Sequence, residues 1–429
     1  MVRLENGPLV RPAPGRESWE AGAVRSNLVV AALCAAIGSG AQAAESAPLL
    51  DWQDVVGQLD RNPRFREAAL RATAARAGVE ATRQVPNPRL EATAGEGWNS
   101  DGSLRKAEWA LAITVPLEWL GTKGARLDAA QASASEAEEE SAQVRQEVLL
   151  RLRRLFVLVA HDERLVASLL TSARQADDLA RLVRLRVERG EARPPELPRV
   201  EVEAERARLA LGQAEARAMV HRDQLSVWVG RPVERVALDM ARSPVPPPLA
   251  ELRERMAGGQ PRVRAAQERV SAAAFDVRAE RNQRIPSISV SGYALSEIDR
   301  NAVGGGIGIE FPVWNWNSSK IAQAEAIHAA EESRLLVASN EARTVLVEAW
   351  AMCTQGQVAS RRLREEIVPR AEGAAAKIER SYQLGESSLL EALDARRARL
   401  EVLRDLLAAE LEQQLECGTL TILAGGDLR

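Results

Sequence analysis

One pattern occurs twice along this chain, and that duplication limits its fold more than any other feature does. Each copy shows four landmarks in the same order: a proline that opens a helix, a proline that closes it, a proline after two alternating stretches, and a Gly-Glu turn that ends a long helix. They are Pro63, Pro88, Pro116 and Gly190-Glu191 in the first copy, and Pro261, Pro286, Pro312 and Gly385-Glu386 in the second. Four landmarks in a shared order indicate one structural unit used twice.

A proline-rich segment separates the two copies. Residues 243–248 read Ser-Pro-Val-Pro-Pro-Pro, which neither a helix nor a central strand tolerates, so we expect a stiff, extended connector. The predicted boundaries are 49–233 for the first repeat, 234–248 for the connector and 249–425 for the second repeat.

Within each copy the hydrophobic pattern changes from a helical period to a period of two. The alternating stretches predict two strand pairs, 89–94 with 109–115 and 285–293 with 303–311. Each strand has about ten residues, the length that a tilted strand needs to cross a bilayer. Four strands are too few to close a barrel, and open edges cannot face lipid. If these strands span a membrane, several chains have to share one barrel.

Aromatic side chains lie at or near the ends of these predicted strands. They are Trp98, Trp109, Tyr293, Trp314 and Trp316. Amphipathic rings suit a membrane interface, but the same rings would also serve to pack strand ends onto helices. The sequence leaves both interpretations open.

The helices that follow the strands are too long for a compact globule. No proline interrupts the chain from Ala125 to Arg189, which corresponds to roughly 100 Å of helix. Aromatic residues make up only 3% of the chain, and long stretches consist mainly of Ala, Leu, Arg and Glu, as is typical of extended helices. Spacings of three and four between apolar residues predict coiled-coil packing. These residues are Leu152, Leu155, Val159, Val166 and Leu169, and later Leu389, Leu393, Leu400, Leu403 and Leu407.

The N-terminal segment is typical of a secretory signal. Arg25 precedes an apolar run over residues 28–37, and the small residues Ala41-Gln42-Ala43 follow it. We therefore predict a signal peptide within residues 1–43. The long polar stretch before Arg25 predicts a true start downstream of Met1.

Two further points concern the membrane. Cys34 lies in the apolar run, but Leu33 before it is too bulky for the small residue that a lipoprotein precursor carries there. Beyond the signal, no apolar run approaches the roughly 20 residues of a membrane-spanning helix. The sequence therefore predicts that any membrane crossing uses strands.

Charge and polar residues argue against several classes of protein. A formal net charge of −3 gives no indication of nucleic-acid binding. His161, His221 and His328 are scattered without metal-ligand spacing, and no catalytic triad or Walker loop is recognisable. We expect neither an enzyme nor a bound metal or cofactor. The run Gly-Gly-Gly-Ile-Gly over residues 304–308 lies in an alternating stretch, which favours strand glycines over a phosphate loop.

Taken in order, these residues resemble the TolC family of outer-membrane efflux ducts over nearly the whole chain. The starts at Asn62-Pro63 and Pro86-Asn87-Pro88 fit the family pattern, as does Val115-Pro116-Leu117 followed by Gly121, Lys123 and Gly124. The most specific match is the run from Ser381 through Gly385-Glu386 to Ala395. The resemblance implies an α+β membrane protein: a trimer that shares one twelve-stranded β-barrel in the outer membrane and extends a long α-helical tunnel into the periplasm.

The resemblance also implies partners. Such ducts dock onto a periplasmic adaptor and an inner-membrane pump of the RND type, and the adaptor contacts the tips of the helical hairpins. The matching positions here are Gly190, Glu191, Gly385 and Glu386. The glycines would equally serve as C-caps that end the long helices, and both interpretations can hold together.

Acidic residues just past the second tip match the closed aperture of the family. They are Glu391 and Asp394, which in a trimer would form two rings of three carboxylates that favour cations. The alternative is an ordinary solvated helix surface. The first copy departs from the pattern at Pro194-Pro195, so Glu196 is a weaker candidate.

Two cysteines, Cys353 and Cys417, lie at equal sequence distances on either side of Gly385. If Gly385 is the tip of a hairpin, both cysteines lie at the same height on antiparallel helices. Equal height is necessary for a disulfide but does not guarantee one. We predict the bond; the alternative is two small buried hydrophobic residues.

The features match best the branch of CzcC-like ducts that serve heavy-metal cation pumps. A drug-efflux or type I secretion duct of the same fold is the nearest alternative. A periplasmic coiled-coil adaptor would carry one hairpin rather than two strand-bearing repeats. A soluble enzyme would need a pocket with convergent polar groups, which we do not expect from such thin rods.

Overall fold

The computed structural model describes residues 49–100, 102–117, 119–256 and 259–425. The predicted signal peptide within residues 1–43, the start site and Cys34 lie outside the described residues.

Helices and strands follow the same order in both copies. The first copy contains α1 (Trp52–Gly57), a 3-10 turn (Leu59–Arg61), α2 (Pro63–Arg83), β1 (Arg89–Trp98), β2 (Arg105–Pro116), α3 (Trp119–Glu188) and α4 (Glu196–Val229). The second contains α5 (Leu249–Met256), α6 (Pro261–Asn282), β3 (Ser287–Ser296), β4 (Asn301–Glu310), α7 (Ser318–Arg362), a π-helical turn (Leu363–Ile367), α8 (Val368–Leu384) and α9 (Leu389–Leu423).

The repeated prolines open helices as the sequence predicts. Pro63 and Pro261 occupy the first turn of α2 and α6, where a missing N–H costs nothing. The Asn62 side chain caps α2 by accepting a hydrogen bond from the Arg64 backbone N–H at 3.0 Å. The uninterrupted stretch before Gly190 forms α3, which has 70 residues and is about 105 Å long.

None of the helices in the described part of the chain combines the length and the apolar character required to cross a membrane.

The four strands form one antiparallel sheet in the order β1-β2-β3-β4. Each copy contributes one hairpin, and β2 pairs with β3 to join them, with Ile113 opposite Gly292. β1 and β2 extend further towards their loop than predicted, because the alternation continues through charged residues such as Lys106 and Glu108. Trp109 and Tyr293, which were expected at or near strand ends, lie within β2 and β3, three to four residues from the ends of these strands.

The glycine run is part of β4, as the alternation predicts. On one face of the sheet these glycines leave room for β3 side chains. A Cβ atom at Gly304 would lie 2.5 Å from the Tyr293 hydroxyl. Without a Cβ atom, Gly304 therefore leaves the space that the Tyr293 ring occupies.

The main apolar core lies where α1, α3, α4 and the connector meet. Trp52 and Phe156 are both buried there, with ring centroids 5.7 Å apart. The segment before α1 is held by two backbone hydrogen bonds, from Leu50 to the Arg235 carbonyl and from Ala237 to the Leu50 carbonyl. The start of the described chain is thus tied to the beginning of the connector.

Side chains of the second copy hold the connector in place. Gln414 donates to the carbonyls of Asp239 and Met240, and the Trp350 indole donates to the Pro247 carbonyl. These bonds supply donors to carbonyls of the extended connector.

Candidate functional site

Each long helical hairpin turns at a glycine in the left-handed conformation. Gly190 has a φ of +73° and Gly385 a φ of +81°. At the first tip, the Gly190 N–H bonds to Val187 and the Glu191 N–H to Arg186; at the second, the Gly385 N–H bonds to Tyr382 and the Glu386 N–H to Ser381. This pair of bonds is the Schellman motif. The four predicted tip residues therefore hold equivalent positions in the two copies.

The two tips pack against each other. Tyr382 of α8 is buried in a cluster with residues of both hairpins, including Val183, Val200 and Leu389. The cluster places the end of α3 and the start of α4 against the turn between α8 and α9.

Arg186 of the first hairpin joins this cluster to the backbone of the second. Its guanidinium donates to the carbonyls of Tyr382 at 3.2 Å and Gln383 at 2.7 Å, and it lies 5.1 Å from the centre of the Tyr382 ring. Both carbonyls belong to the last turn of α8, where a cation is favoured by the helix dipole. Burial raises the pKa of the Tyr382 hydroxyl, against the opposing charge of Arg186. Sequence reasoning missed this contact, because it joins residues that are far apart in the chain.

The start of α9 is fixed by a capping box. The Glu391 N–H donates to the Ser388 hydroxyl, and the Glu391 carboxylate accepts from the Ser388 N–H at 2.8 Å and from its hydroxyl at 3.0 Å. The backbone bond, followed by the hydroxyl bond, lowers the pKa of Glu391. This predicted aperture residue thus has a local structural role as well.

Asp394 lies one turn further along α9. Its carboxylate is exposed and lies 3.7 Å from the Arg397 guanidinium. Buried Ala392 and Leu393 point into the tip cluster, so Glu391 and Asp394 share the side of α9 that faces away from it. The structure thus brings the two predicted aperture residues onto one exposed face.

The same face of α9 carries further carboxylates. Asp394, Glu401 and Glu412 follow helical spacing and are all exposed. If Gly190 and Gly385 are aligned, the corresponding positions of α4 are Arg199, Arg206 and Arg217, also exposed. The two equivalent helices therefore carry opposite charge at these three positions.

The first tip starts its second helix differently. Pro195 is the N-cap of α4 and supplies no side-chain hydrogen bond. Glu196, the weaker aperture candidate, is the first residue of the helix and is half-buried. No counterpart of the capping box is present at this position.

Cys353 of α7 and Cys417 of α9 form a disulfide, with Cα atoms 4.8 Å apart. Both cysteines are buried in a small cluster with Leu252, Leu346 and Leu420. The bond ties the two long helices of the second copy together.

A buried carboxylate near this disulfide was not expected from the sequence. Glu410 of α9 is fully buried and contacts both Arg164 of α3 and Arg364 of the π-helical turn. Arg364 also donates to the Ala241 carbonyl of the connector at 3.3 Å. Glu410 is one of several acidic residues of α9, and the sequence does not distinguish it from those that are exposed.

In the part of the chain that the structure describes, no group of three His, Cys, Asp or Glu side chains could hold a metal ion. His221 instead contacts the buried Asp162 at 2.6 Å between α4 and α3.

The sheet has two chemically different faces. Residues directly opposite each other on paired strands share a face, and successive residues alternate between faces. One face carries large, exposed apolar side chains: Leu90, Trp98, Trp109, Leu111, Ile113, Ile288, Val290, Val303, Ile307 and Ile309. The other carries most of the polar ones: Glu91, Thr93, Lys106, Glu108, Thr114, Ser287, Ser289, Ser291 and Glu310.

Polar residues on the apolar face lie only at its loop end. They are Glu96, Arg105, Ser296 and Asn301. A soluble monomer rarely exposes an apolar surface of this extent.

Comparison with known proteins agrees with this geometry. A family model described as "Outer membrane efflux protein" matches residues 57–231 and again residues 252–426. The cobalt-zinc-cadmium resistance protein CzcC of Cupriavidus metallidurans is 25% identical over 331 residues, which cover 75% of this chain and 76% of that protein.

Solved structures share the fold at low identity. The outer-membrane channel OprN superposes with a TM-score of 0.74 at 19% identity, covering 87% of this chain and 90% of its own. CusC gives 0.74 at 18%, covering 87% and 92%. The open state of the Neisseria gonorrhoeae channel MtrE gives 0.75 at 19%, covering 88% and 89%.

Proposed function

The chain belongs to the outer membrane efflux protein family, as the motifs of the sequence predicted, and from this premise we propose that three copies form a passive duct for divalent heavy-metal cations. It is an outer-membrane efflux channel of the CzcC-like kind, and its family is one of ducts rather than enzymes. The observation that carries the proposal is the sheet, which has one apolar face, one polar face and two open edges.

The two faces of the sheet suit opposite environments. The apolar face would lie against lipid, and the polar face would line an aqueous lumen. Trp98 lies at the loop end of the apolar face, next to the polar residues there, as expected at a membrane interface.

The open edges of β1 and β4 support sharing of the sheet between copies. Three copies of the four-stranded sheet would supply twelve strands and leave no edge exposed to lipid. The helices also expose apolar surface, because α4 and α7 carry large apolar side chains that face solvent. They are Val202, Leu209, Val220 and Val227 on α4, and Leu336, Val345, Met352 and Val358 on α7. A neighbouring copy would cover both sets, and the helices would then form the periplasmic tunnel.

The exposed carboxylates of α9 support a cationic substrate. In a trimer, Glu391 and Asp394 would form rings at the narrow end of the duct, where closely spaced negative charges favour cations. The relative CzcC is named for resistance to cobalt, zinc and cadmium. The name of CzcC and the carboxylates of α9 both favour a metal cation as the substrate.

The hairpin tips are the proposed contact for a periplasmic adaptor that links the duct to an inner-membrane pump of the RND type. Glu191 and Glu386 are exposed beside the turn glycines, and both tips are held rigidly by the same helix-ending motif. A fixed, exposed tip suits docking because little conformational freedom is lost on binding.

A deletion strain complemented with this chain tests the proposal. We expect wild-type protein to appear in the outer membrane as a heat-modifiable trimer and to restore tolerance to cobalt, zinc and cadmium. A soluble monomer would contradict the duct. Unchanged metal tolerance with a normal trimer would reject the heavy-metal substrate and favour a drug or type I secretion duct of the same fold.

Single-channel recording tests the role of the aperture residues. The pair Glu391→Gln and Asp394→Asn removes both rings of charge while Gln keeps the capping box, so we expect the ratio of cation to anion permeability to fall severalfold. Glu196→Gln at the first tip is the matched control, and an equal effect there would contradict a gate in the second copy.

A further inference from the structure

A cavity of about 330 Å³ lies between α3 and α4 of the first hairpin and α9 of the second. Sequence reasoning expected rods too thin to form a pocket, and that expectation was wrong, because three helices rather than two meet here. Its charged lining consists of one glutamate, Glu203, and five arginines: Arg206, Arg396, Arg397, Arg399 and Arg404. The cavity is therefore strongly positive.

Three of the five arginines have carboxylate partners. Arg206 and Arg397 both contact Glu203, and Arg396 contacts Glu379. These pairs account for part of the positive charge as ordinary contacts between neighbouring helices.

The remaining two arginines, Arg399 and Arg404, have no carboxylate within ion-pair distance among the residues that the structure describes. Arg399 contacts only the side-chain amide oxygen of Gln175. Arg404 is exposed at the rim of the cavity. Two of the five guanidinium groups in the lining are thus not paired with a carboxylate among the described residues.

Two guanidinium N–H groups in the lining also lack an acceptor. The Nε atoms of Arg396 and Arg399 are both buried and make no hydrogen bond. Burial lowers the pKa of Arg396, the charge of Arg399 lowers it further, and Asp178 opposes the shift. A buried donor without an acceptor destabilises a fold, so these two arginines are not kept in place by hydrogen bonds through Nε.

The duplication provides an internal comparison. When Gly190 is aligned with Gly385, Arg396, Arg399 and Arg404 correspond to Glu201, Ala204 and Leu209 of α4. The first copy builds the same helix without these arginines. The coiled coil therefore does not require them at this height.

From the cavity, the two arginines without a carboxylate partner and their absence from the first copy, we propose that this site binds a small soluble oxyanion of the phosphate or sulfate type. Planar guanidinium groups recognise such oxyanions through paired, charge-assisted hydrogen bonds. The bound anion would contact helices of both hairpins and hold α9 against α3 and α4, directly beside the proposed aperture.

The position of the cavity favours a soluble anion over a lipid headgroup. Arg396 and Arg404 lie roughly 16 and 29 Å along α9 from the turn at Gly385. Ser172, which lines the cavity, lies roughly 80 Å along α3 from the helix start beside the sheet. A lipid bound at the sheet would not reach this site.

Titration calorimetry on the purified full chain, in a detergent free of phosphorylated lipid, tests the proposal with inorganic phosphate, sulfate and chloride at matched ionic strength. We expect saturable binding of phosphate or sulfate and none of chloride. The double variant Arg399→Gln with Arg404→Gln should weaken binding about tenfold or more, because two charge-assisted donors are lost. Arg208→Gln is the matched control, an exposed arginine of α4 that does not line the cavity, and it should leave the affinity unchanged.

Arg404→Gln alone covers the case in which the double variant misfolds, since Arg404 is exposed. Phosphate and sulfate affinity that is unaltered in both variants, or a chloride signal equal to that of phosphate, would overturn the proposal. Because binding is measured without transport, its failure is distinct from failure of the proposed export function.

Discussion

The two hairpin tips end their first helix in the same way and begin their second helix differently. Gly190 and Gly385 adopt the same left-handed conformation with the same pair of backbone hydrogen bonds. Past the turn, Ser388 and Glu391 cap α9, whereas Pro195 starts α4 without a side-chain bond. The two copies therefore share the motif that ends the first helix of each hairpin and differ in how the second helix is capped.

The second helices of the two hairpins also differ in surface charge. Asp394 and Glu401 of α9 correspond to Arg199 and Arg206 of α4, and all four are exposed. The two copies thus share a backbone conformation but carry opposite charge at these positions. The second copy carries the capping box and the carboxylates proposed for the gate.

The largest expected difference between the copies comes from the disulfide, which only the second copy has. Cys353 and Cys417 are separated by 64 residues, and a closed loop of this length stabilises a fold by about 4 kcal/mol in the chain-entropy model. Reduction, or Cys353→Ala with Cys417→Ala, should lower the free energy of unfolding by that order, measured in denaturant. Thiol titration of the unreduced, denatured mature protein should find no free thiol at these positions; two would refute the bond.

A smaller effect is expected from the contact between the tips. Arg186→Gln removes two hydrogen bonds to carbonyls of α8 and the contact with the Tyr382 ring, which should cost about 2 kcal/mol of stability. Arg189→Gln, three residues later and exposed, is the control. Equal losses in the two variants would mean that the hairpins are not coupled through Arg186.

Substitution of the turn glycines tests whether the two tips have equivalent backbone conformations. Gly190→Ala and Gly385→Ala place a Cβ in open space, so each should cost about 1 kcal/mol through the left-handed backbone alone. Gly373→Ala in the middle of α8 is the control and should stabilise the protein, because alanine favours a helix. Clearly unequal costs at the two tips in thermal unfolding would contradict their equivalence.

The smallest effect concerns pH at the second tip. Hydrogen bonds from Ser388 lower the pKa of Glu391 below its ordinary value of 4.5. A lowered pKa stabilises the fold above the ordinary value, and that contribution is lost as the pH falls through the lowered one. Glu391→Gln should therefore flatten the acid side of the stability profile slightly. A profile as steep as that of the wild type would show that the carboxylate contributes nothing there.

Local features of the fold were predictable from the sequence. The opening prolines, the uninterrupted stretch that forms α3 and the two strand hairpins each depend on neighbouring residues, whose patterns are visible in one dimension. The strand boundaries were less predictable, because Lys106 and Glu108 continue β2 with polar side chains on the polar face.

Contacts between distant residues were harder to predict. Glu410, Arg186 and the arginine-lined cavity join helices from different copies, and each residue alone is typical of a charged helix surface. Cys353 and Cys417 were an exception, because their equal distance from the turn at Gly385 gave a geometric reason to pair them.

The pairing of β2 with β3 has a consequence for the order of folding. Paired residues of β2 and β3, such as Trp109 and Ser296, are separated by nearly half of the chain. Each β-hairpin is built from local contacts and is expected to form quickly. Pairing of β2 with β3, in contrast, has to overcome the entropy of closing a very large loop. Nascent chains that have exported only their first copy carry an unpaired β2 edge, which is prone to aggregation. Protection of that edge until the second hairpin arrives is therefore a requirement of biogenesis that the duplicated fold itself creates.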